Sequence, residues 1–543
     1  MLRLTAYGVR NLRSLEDTGL IPLKPLTVLV GKNSAGKSSF ARILPLLKQS
    51  AERRKQAPLL WFGRLVDFGS FDEALSSFAN EPEIELLLRF SSSTPFYGAR
   101  MRGAREASIS QDELGPIDVR LTLVSDGDDS RTVLRALHLN VFGVKVDIQI
   151  SSRESTIVVD GVPATPLQDT RLIFTQGAIL PQMNLFIRES AGTAPVRDST
   201  LFQPQRRLKL GQREARIAVS EFVHGNTLDE RKDEIAFRLP LAPLDKLLQH
   251  CSGLRSAPDT WSTSMHLLSL KGVSQPLKKL QRALTILKLD ELLSELDESM
   301  LGFCNGVSYL EPLRATAQRY YRREEVSIEE LDPKGLNTTF FLQGLTQRER
   351  DSLNEWLSST FGFKLLVKTA GGHSSLNIET EAGNESRNMA DVGLGYSQLV
   401  PVAIQLWVAS RKHDIRVINQ RNRAIINSRV KYGGIVVIEQ PELHLHPAYQ
   451  AKLADVFASC IAPTEPDEGG RHGQNVKIMA ETHSPNLINR LGELIDEGLL
   501  SAEDVQVLVF EPSRETSGGT RIEVASFDEH GVLQNWPIGF FDY

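Results

Sequence analysis

Gly31-Lys32-Asn33-Ser34-Ala35-Gly36-Lys37-Ser38 fits the pattern G-x-x-x-x-G-K-[ST] at every fixed position, with Ser39 directly after it. Glycines at such positions let backbone N–H groups turn toward phosphate oxygens, and a following helix adds a positive dipole end. In that arrangement Lys37 reaches the β- and γ-phosphates and Ser38 ligates Mg²⁺. The chemistry implied is binding of ATP or GTP as its magnesium complex.

A second stretch, VVIEQPELHLHP over 436–447, ends an apolar run in a carboxylate, Glu439. Ligands of open α/β sheets bind at the C-terminal ends of strands, so Glu439 is placed to hold Mg²⁺ through water, together with Ser38. The next residue, where a hydrolase places its proton acceptor, is Gln440. An amide orients a water molecule but cannot take its proton, and losing a general base typically slows a reaction by about 10²- to 10⁴-fold. Glu442 is the alternative base. An extended chain through Pro441 puts residues 440 and 442 on one side, whereas a turn at Pro441 does not, and both conformations are open. His444 and His446 alternate without a third ligand, which favours a structural role over a metal site.

A third stretch, MADVGLGYSQLVPVAIQLWVAS over 389–410, leads through small residues, Gly395 among them, into Ser397 and an apolar helix. Ser397 is expected as the N-cap, with Pro401 in the first turn, where its missing N–H does no harm. A serine on a glycine loop at a helix N-terminus is suited to grip a phosphate.

These stretches need elements to hold them. LTVLV precedes the glycine loop and FARILPLLKQS follows it with helical spacing, giving strand, loop, helix. From about 83 to 160, short Val-, Ile- and Leu-rich segments separated by turn residues predict an antiparallel sheet. From about 165 to 305 the pattern is mainly helical, and QPLKKLQRALTILKLDELLSELDESML is expected to be amphipathic. A mixed region follows, and the last 160 or so residues alternate helix and strand, as in a parallel sheet covered by helices. The fold class expected is therefore α/β. Its anticipated parts are an N-terminal lobe with an antiparallel β subdomain (1–164), a helical insertion (165–305), a mixed connecting region (306–388) and a C-terminal lobe (389–543). APTEPDEGGRHGQN, 462–475, reads as a surface loop.

Composition narrows the class. Charged residues make up 24% and hydrophobic residues 41% of the chain, ordinary values for a soluble domain protein. No apolar run is long enough to cross a bilayer, so no membrane is expected. The N-terminus has no signal-peptide core, and three scattered cysteines point to the reducing cytoplasm. A net charge of -5 gives no global pull toward nucleic acid. Local basic stretches at 410–431 and 206–216 could contact phosphates, although a solvated charged face is the commoner explanation.

Gly31 to Ser38, the serine loop 393–398, VVIEQPELHLHP and ETHSP at 481–485 occur in the order found in ABC-type ATPase heads. The chain resembles in particular the overcoming-lysogenization-defect-like and DUF3696 group, and YGVRNLRSL, LEPLRATAQRYY and NWPIGFFDY look like that group too. It is similar to the PtuA-like ATPase subunits of Septu and retron-linked antiphage systems, over the first 80 or so and the last 235 or so residues.

The resemblance implies an ABC-type, RecA-like head that forms a head-to-tail homodimer, with Ser397 of one subunit facing the phosphate loop of the other; a higher oligomer is left open. It makes His483 the histidine that senses the γ-phosphate and places Arg13 near the nucleotide. The group's Q-loop glutamine has no counterpart here, since VDFGSFDEAL offers Asp67 or Ser70 instead. The ~60 residues after His483 are too few for the Toprim nuclease of the lysogenization-defect proteins.

The expected function is a slowly hydrolysing, ATP- and Mg²⁺-binding regulatory subunit. Its effector is an HNH nuclease partner of the PtuB kind, in some systems alongside a reverse transcriptase and its single-stranded DNA. Two other readings stand beside it: a DNA-repair ATPase motor, and an ATPase with a nuclease of its own within 165–385.

Overall fold

A computed structural model describes residues 2–52, 57–92, 94–97, 114–127, 131–164, 170–175, 177–187, 210–254, 257–271, 274–322, 328, 330–380, 385–410, 434–462, 476–513 and 519–536. The fold is α/β, built on a mixed sheet of sixteen strands among those residues. Its parallel part runs in the order Val307–Leu310, Ile435–Glu439, Lys477–Glu481, Leu26–Gly31 and Val505–Pro512. The strand that ends in the phosphate loop thus has the Lys477–Glu481 strand on one side and Val505–Pro512 on the other. The acid strand Ile435–Glu439 lies one place further out.

Both faces of these strands are covered, which is why they read as continuous apolar runs. Leu26, Val28, Val30, Val436, Ile438 and Ala480 pack into one core. Leu29, Val437, Met479, Leu508 and Phe510 pack into the other. The period-2 alternation of a strand assigns neighbours to opposite cores. Thr27, fully buried, receives a hydrogen bond from Gln506 Nε2 at 2.9 Å.

Beyond Val505–Pro512 the sheet continues through Thr520–Phe527 and Leu15–Asp17 to Leu2–Leu12. From there it is antiparallel: Glu83–Ser92, Pro116–Asp126, Arg131–Val141, Val144–Gln149 and Thr156–Val159. The segment read as mainly helical opens instead with a hairpin, Thr170–Thr175 against Gln182–Ile187. Its alternating RLIFT and MNLFI favour strands.

The helix Gln275–Asn305 shows the expected exposed stripe toward its ends, at Lys278 and Lys279 and again at Asp290, Ser294 and Glu298, but not in its middle. Every residue from Ala283 to Leu289 is buried, because the helix is enclosed by the helical region on one side and the sheet on the other. Even Lys288 is inside, donating to the carbonyls of Tyr97 at 2.9 Å and Phe237 at 3.2 Å. At Gly306 this helix passes directly into Val307–Leu310.

The last 160 or so residues alternate as expected, with the helices Pro447–Ile461 and Pro485–Asp496 set between the strands Ile435–Glu439, Lys477–Glu481 and Val505–Pro512. The helix after the phosphate loop comes in two pieces, Lys37–Ala41 and Ile43–Ala51. Pro45 lacks the N–H that would bond to Ala41, so the break falls one turn before it. The expected loop at 462–475 lies almost entirely outside the described residues. Among those residues no helix is long and apolar enough to cross a membrane.

Candidate functional site: a phosphate loop facing two carboxylate strands

The phosphate loop is shaped by close contacts. Gly36 has φ 84°, and a Cβ there would lie 2.7 Å from Ser14 Oγ, so the turn after the first strand packs onto the loop. A Cβ on Gly31 would lie 2.5 Å from the Phe510 carbonyl oxygen. Lys32, Asn33 and Ser34 are exposed, Ala35 is buried, and Ser38 and Ser39 are half-buried. Lys37 is buried and donates to the loop's own carbonyls, Gly31 at 2.9 Å and Lys32 at 2.8 Å. Burial lowers its pKa, against the opposing pull of Glu481 at 3.9 Å.

Two carboxylates end adjacent parallel strands. Glu439 and Glu481 are register partners, so their side chains leave the sheet on the same side. Glu439 is 1% exposed. Arg42 donates from Nε to Oε1 and from Nη2 to Oε2, both at 2.7 Å, and Tyr309 donates its hydroxyl to Oε1 at 2.7 Å. Burial works against the charge on Arg42, but the Glu439 contacts outweigh it and raise its pKa. The Tyr309 hydroxyl is raised by burial and then by the Glu439 charge.

Glu481 has a different partner. Its Oε2 accepts from Ser38 Oγ at 2.7 Å. Burial, followed by the charge of Glu439, pushes its pKa up to about 7, despite the Ser38 hydrogen bond and Lys37.

Gln440 adopts φ 44° and donates its backbone N–H to the Glu481 carbonyl at 2.8 Å. The chain then turns, with Leu443 N bonded to Gln440 O and Leu445 N to Glu442 O. Of the two conformations open at Pro441, the turn is the one adopted. It carries Glu442 inward, where Oε1 accepts the His483 backbone N–H at 2.7 Å. Burial raises the Glu442 pKa.

His483 is half-buried, and its Nε2 is enclosed without a hydrogen-bond partner. Burial, and then Lys37, hold its pKa down. An enclosed ring nitrogen beside a lysine resting on loop carbonyls fits a pocket arranged for phosphate oxygens. Mg²⁺ fits the oxygen donors Ser38, Glu481 and Glu439, since it is held by one or two carboxylates together with phosphates and waters.

Arg13, at φ 50°, lies with its guanidinium 4.6 Å over the Phe68 ring and donates to the Asp67 carbonyl at 3.4 Å. Burial and then Arg42 lower its pKa. Of the Q-loop substitutes, Ser70 is engaged in a capping box with Glu73, and Asp67 accepts from Gly69 N.

Ser397 is not an N-cap. The helix starts at Leu394 and runs to Ser410, so Ser397 sits in its first turn and Pro401 inside it. Gly395 packs on the turn after the acid strand, where a Cβ would lie 3.0 Å from the His444 carbonyl. Ser397 is 3% exposed, and its Oγ accepts from Ala317 N at 3.3 Å. His446 Nδ1 caps the helix Pro447–Ile461 by accepting from Ala448 N.

The basic stretch 410–431 lies, apart from Ser410, outside the described residues. Of the other basic stretch, 206–209 also lie outside, and Arg216 is paired with Asp229 and Asp233.

Sequence reasoning missed Glu481, Arg42, Tyr309 and Arg314. The first had a signal: KIMAE, like VVIE, is an apolar run closed by an acid. Arg42 follows Ser38 by four residues, one helical turn. Tyr309 and Arg314 lie more than a hundred residues from Glu439 in sequence, and nothing local marks them.

Among solved structures, the chain is similar to the Smc head domain bound to the C-terminal domain of ScpA derived from Pyrococcus furiosus. The identity is 10%, coverage is 97% of each chain, and the TM-score is 0.32. It is also similar to the SMC head domain from Thermotoga maritima, at 9% identity, 96% and 98% coverage and a TM-score of 0.31. No curated protein matches. Residues 500–542 match a family described as a protein of unknown function, DUF3696. Residues 4–98 and 274–488, more than half of the chain, match the family described as AAA ATPase domain. Those spans contain the phosphate loop, Arg42, both carboxylate strands and His483, and the chain belongs to that AAA ATPase family.

Proposed function

We propose that the chain binds ATP with Mg²⁺ between the phosphate loop and the two carboxylate strands, and cleaves it slowly, so that the bound triphosphate acts as a persistent latch. The observation that carries this reading is the state of the carboxylates around Gln440. Glu439 takes three hydrogen bonds from Arg42 and Tyr309, Glu442 has one oxygen on the His483 amide, and Glu481 is on Ser38. The position that follows the acid strand offers only an amide.

In this reading two copies associate head to tail. The exposed start of the helix Leu394–Ser410 meets the neighbour's phosphate loop, and His483 senses the γ-phosphate. The nucleotide state controls a separate effector in antiphage defence in the cytoplasm. That effector is an HNH nuclease, in some systems accompanied by a reverse transcriptase and its single-stranded DNA. Support for this part is the likeness of the phosphate loop, the serine loop and ETHSP to the PtuA-like group, together with the DUF3696 match at 500–542.

The test is to mix purified full-length protein with radiolabelled ATP, isolate the complex and follow the nucleotide. Intact ATP retained over many minutes is expected. Turnover of several per second, or recovery of ADP only, overturns the latch and favours a motor.

A further inference from the structure

We propose that Gln450 is a positioning residue for His483: it ties the turn after the acid strand to the start of the helix Pro485–Asp496, and so fixes where the histidine meets a terminal phosphate. The proposal rests on the reading of His483 as the γ-phosphate sensor given above. Three observations carry it.

The first is the reach of one side chain. Gln450 lies near the start of the helix Pro447–Ile461 and is half-buried. Its Nε2 donates to the Leu445 carbonyl at 3.0 Å, where the turn ends. Its Oε1 accepts from Ser484 Oγ at 2.7 Å and from Asn486 Nδ2 at 3.2 Å. Reversing the amide would set an oxygen against the Leu445 carbonyl oxygen, so this orientation is the one that satisfies every contact.

The second is that one turn holds His483 from both sides. Its backbone N–H donates to Glu442 Oε1 at 2.7 Å. The next residue, Ser484, is 3% exposed and is the one bound to Gln450. The same Ser484 Oγ caps the helix Pro485–Asp496 by accepting from Leu487 N at 3.1 Å. Glu442 and Leu445 are the two ends of a single turn, closed by Leu445 N on Glu442 O at 3.0 Å. Gln450 therefore locks that turn to the backbone that carries the histidine.

The third is the ring itself. His483 Nε2 is enclosed and has no hydrogen-bond partner, so no bond at that atom anchors the ring. Its place is set by the backbone on either side. A hydrogen bond weakens steeply once distance or angle departs from the normal range, so a small displacement of this backbone forfeits a contact to phosphate.

The experiment uses full-length protein with Mg²⁺ and measures affinities for fluorescent ADP and for a fluorescent, non-hydrolysable ATP analogue. Wild type prefers the triphosphate. Gln450→Met keeps its affinity for ADP and loses affinity for the triphosphate by about tenfold, the scale of one hydrogen bond to a charged group. His483→Ala loses the same preference, and the double variant binds the triphosphate no more weakly than His483→Ala alone, because Gln450 acts through the histidine. Gln450→Glu keeps an acceptor facing Ser484 and Asn486 and recovers most of the preference. Gln450→Asn, a methylene shorter and unable to span both turns, makes the same measurement should Gln450→Met not fold; melting transitions report folding. A folded Gln450→Met or Gln450→Asn with the wild-type preference, equal losses for both nucleotides, or additive losses in the double variant would overturn the positioning role and leave the His483 reading standing. A His483→Ala variant that keeps the wild-type preference overturns that reading, and the proposal with it.

Discussion

Arg314 donates from Nη2 to the backbone carbonyl of Glu439 at 2.8 Å, while Gln398 holds Arg314's own backbone at both N–H and C=O. The guanidinium is almost wholly buried, and burial pushes its pKa down to about 10 against the attraction of Glu442 and Glu439. Arg314 thus bridges the end of the acid strand and the first turn of the helix Leu394–Ser410. Arg314→Met removes the donor and leaves a carbonyl short of its partner, lowering stability by about 1–3 kcal/mol. It also loosens the Gln440 turn and speeds dissociation of a fluorescent ATP analogue. Gln398→Leu, which releases both backbone clamps, shifts dissociation the same way. Denaturant unfolding and stopped-flow release measure the two effects, and unchanged release in both variants would remove the bridge from the nucleotide response.

Gln440→Glu places a proton acceptor where the amide now stands. The backbone already holds φ 44° there, and glutamate is isosteric with glutamine, so the turn is expected to persist. Single-turnover ATP cleavage should then rise by about 10²-fold or more, the scale of general-base catalysis. No change in rate would mean that Glu481 or another group already accepts the proton.

The parallel strands and the phosphate loop were legible because their signals are local: GKNSAGKSS with its flanking elements, and apolar runs closed by an acid. Contacts between distant segments were not. VVIEQPELHLHP marks an acid strand but says nothing of Arg42 and Tyr309 closing on Glu439, and it left two conformations open at Pro441. Ser397 followed by Pro four residues later imitates a cap, whereas the helix starts at Leu394 and tolerates Pro401 in its interior. Burial of every residue from Ala283 to Leu289 depends on what packs against that part of the helix, which leucine spacing does not record.

Tyr309→Phe deletes a buried hydroxyl that donates to an ionised carboxylate, and is expected to cost about 1.5–3 kcal/mol. Glu439→Ala should cost more, about 3–5 kcal/mol, because it leaves Arg42 without its counter-charge. Denaturant unfolding of both variants and of Arg42→Met/Glu439→Ala tests the contribution of the Arg42–Glu439–Tyr309 contacts. In the double variant part of the loss should be recovered, and strict additivity would show that the Arg42–Glu439 pair contributes no coupling.

Lys477 opens the strand that ends in Glu481, and burial, reinforced by Arg3, pushes its pKa down to about 8. The unfolded chain holds that proton up to about pH 10.4. Between about pH 8 and 10.4 the unfolded state therefore binds more protons than the folded state, and unfolding free energy rises with pH. Below about pH 8 the lysine is charged in both states, and its full burial penalty is present. Lys477→Met removes the penalty, so the variant should be more stable than wild type at pH 7 by about 1–3 kcal/mol. The difference should shrink as pH rises through the window. Melting temperatures of both proteins from pH 7 to 10 measure this, and parallel curves across that range would show that Lys477 keeps its ordinary affinity for the proton.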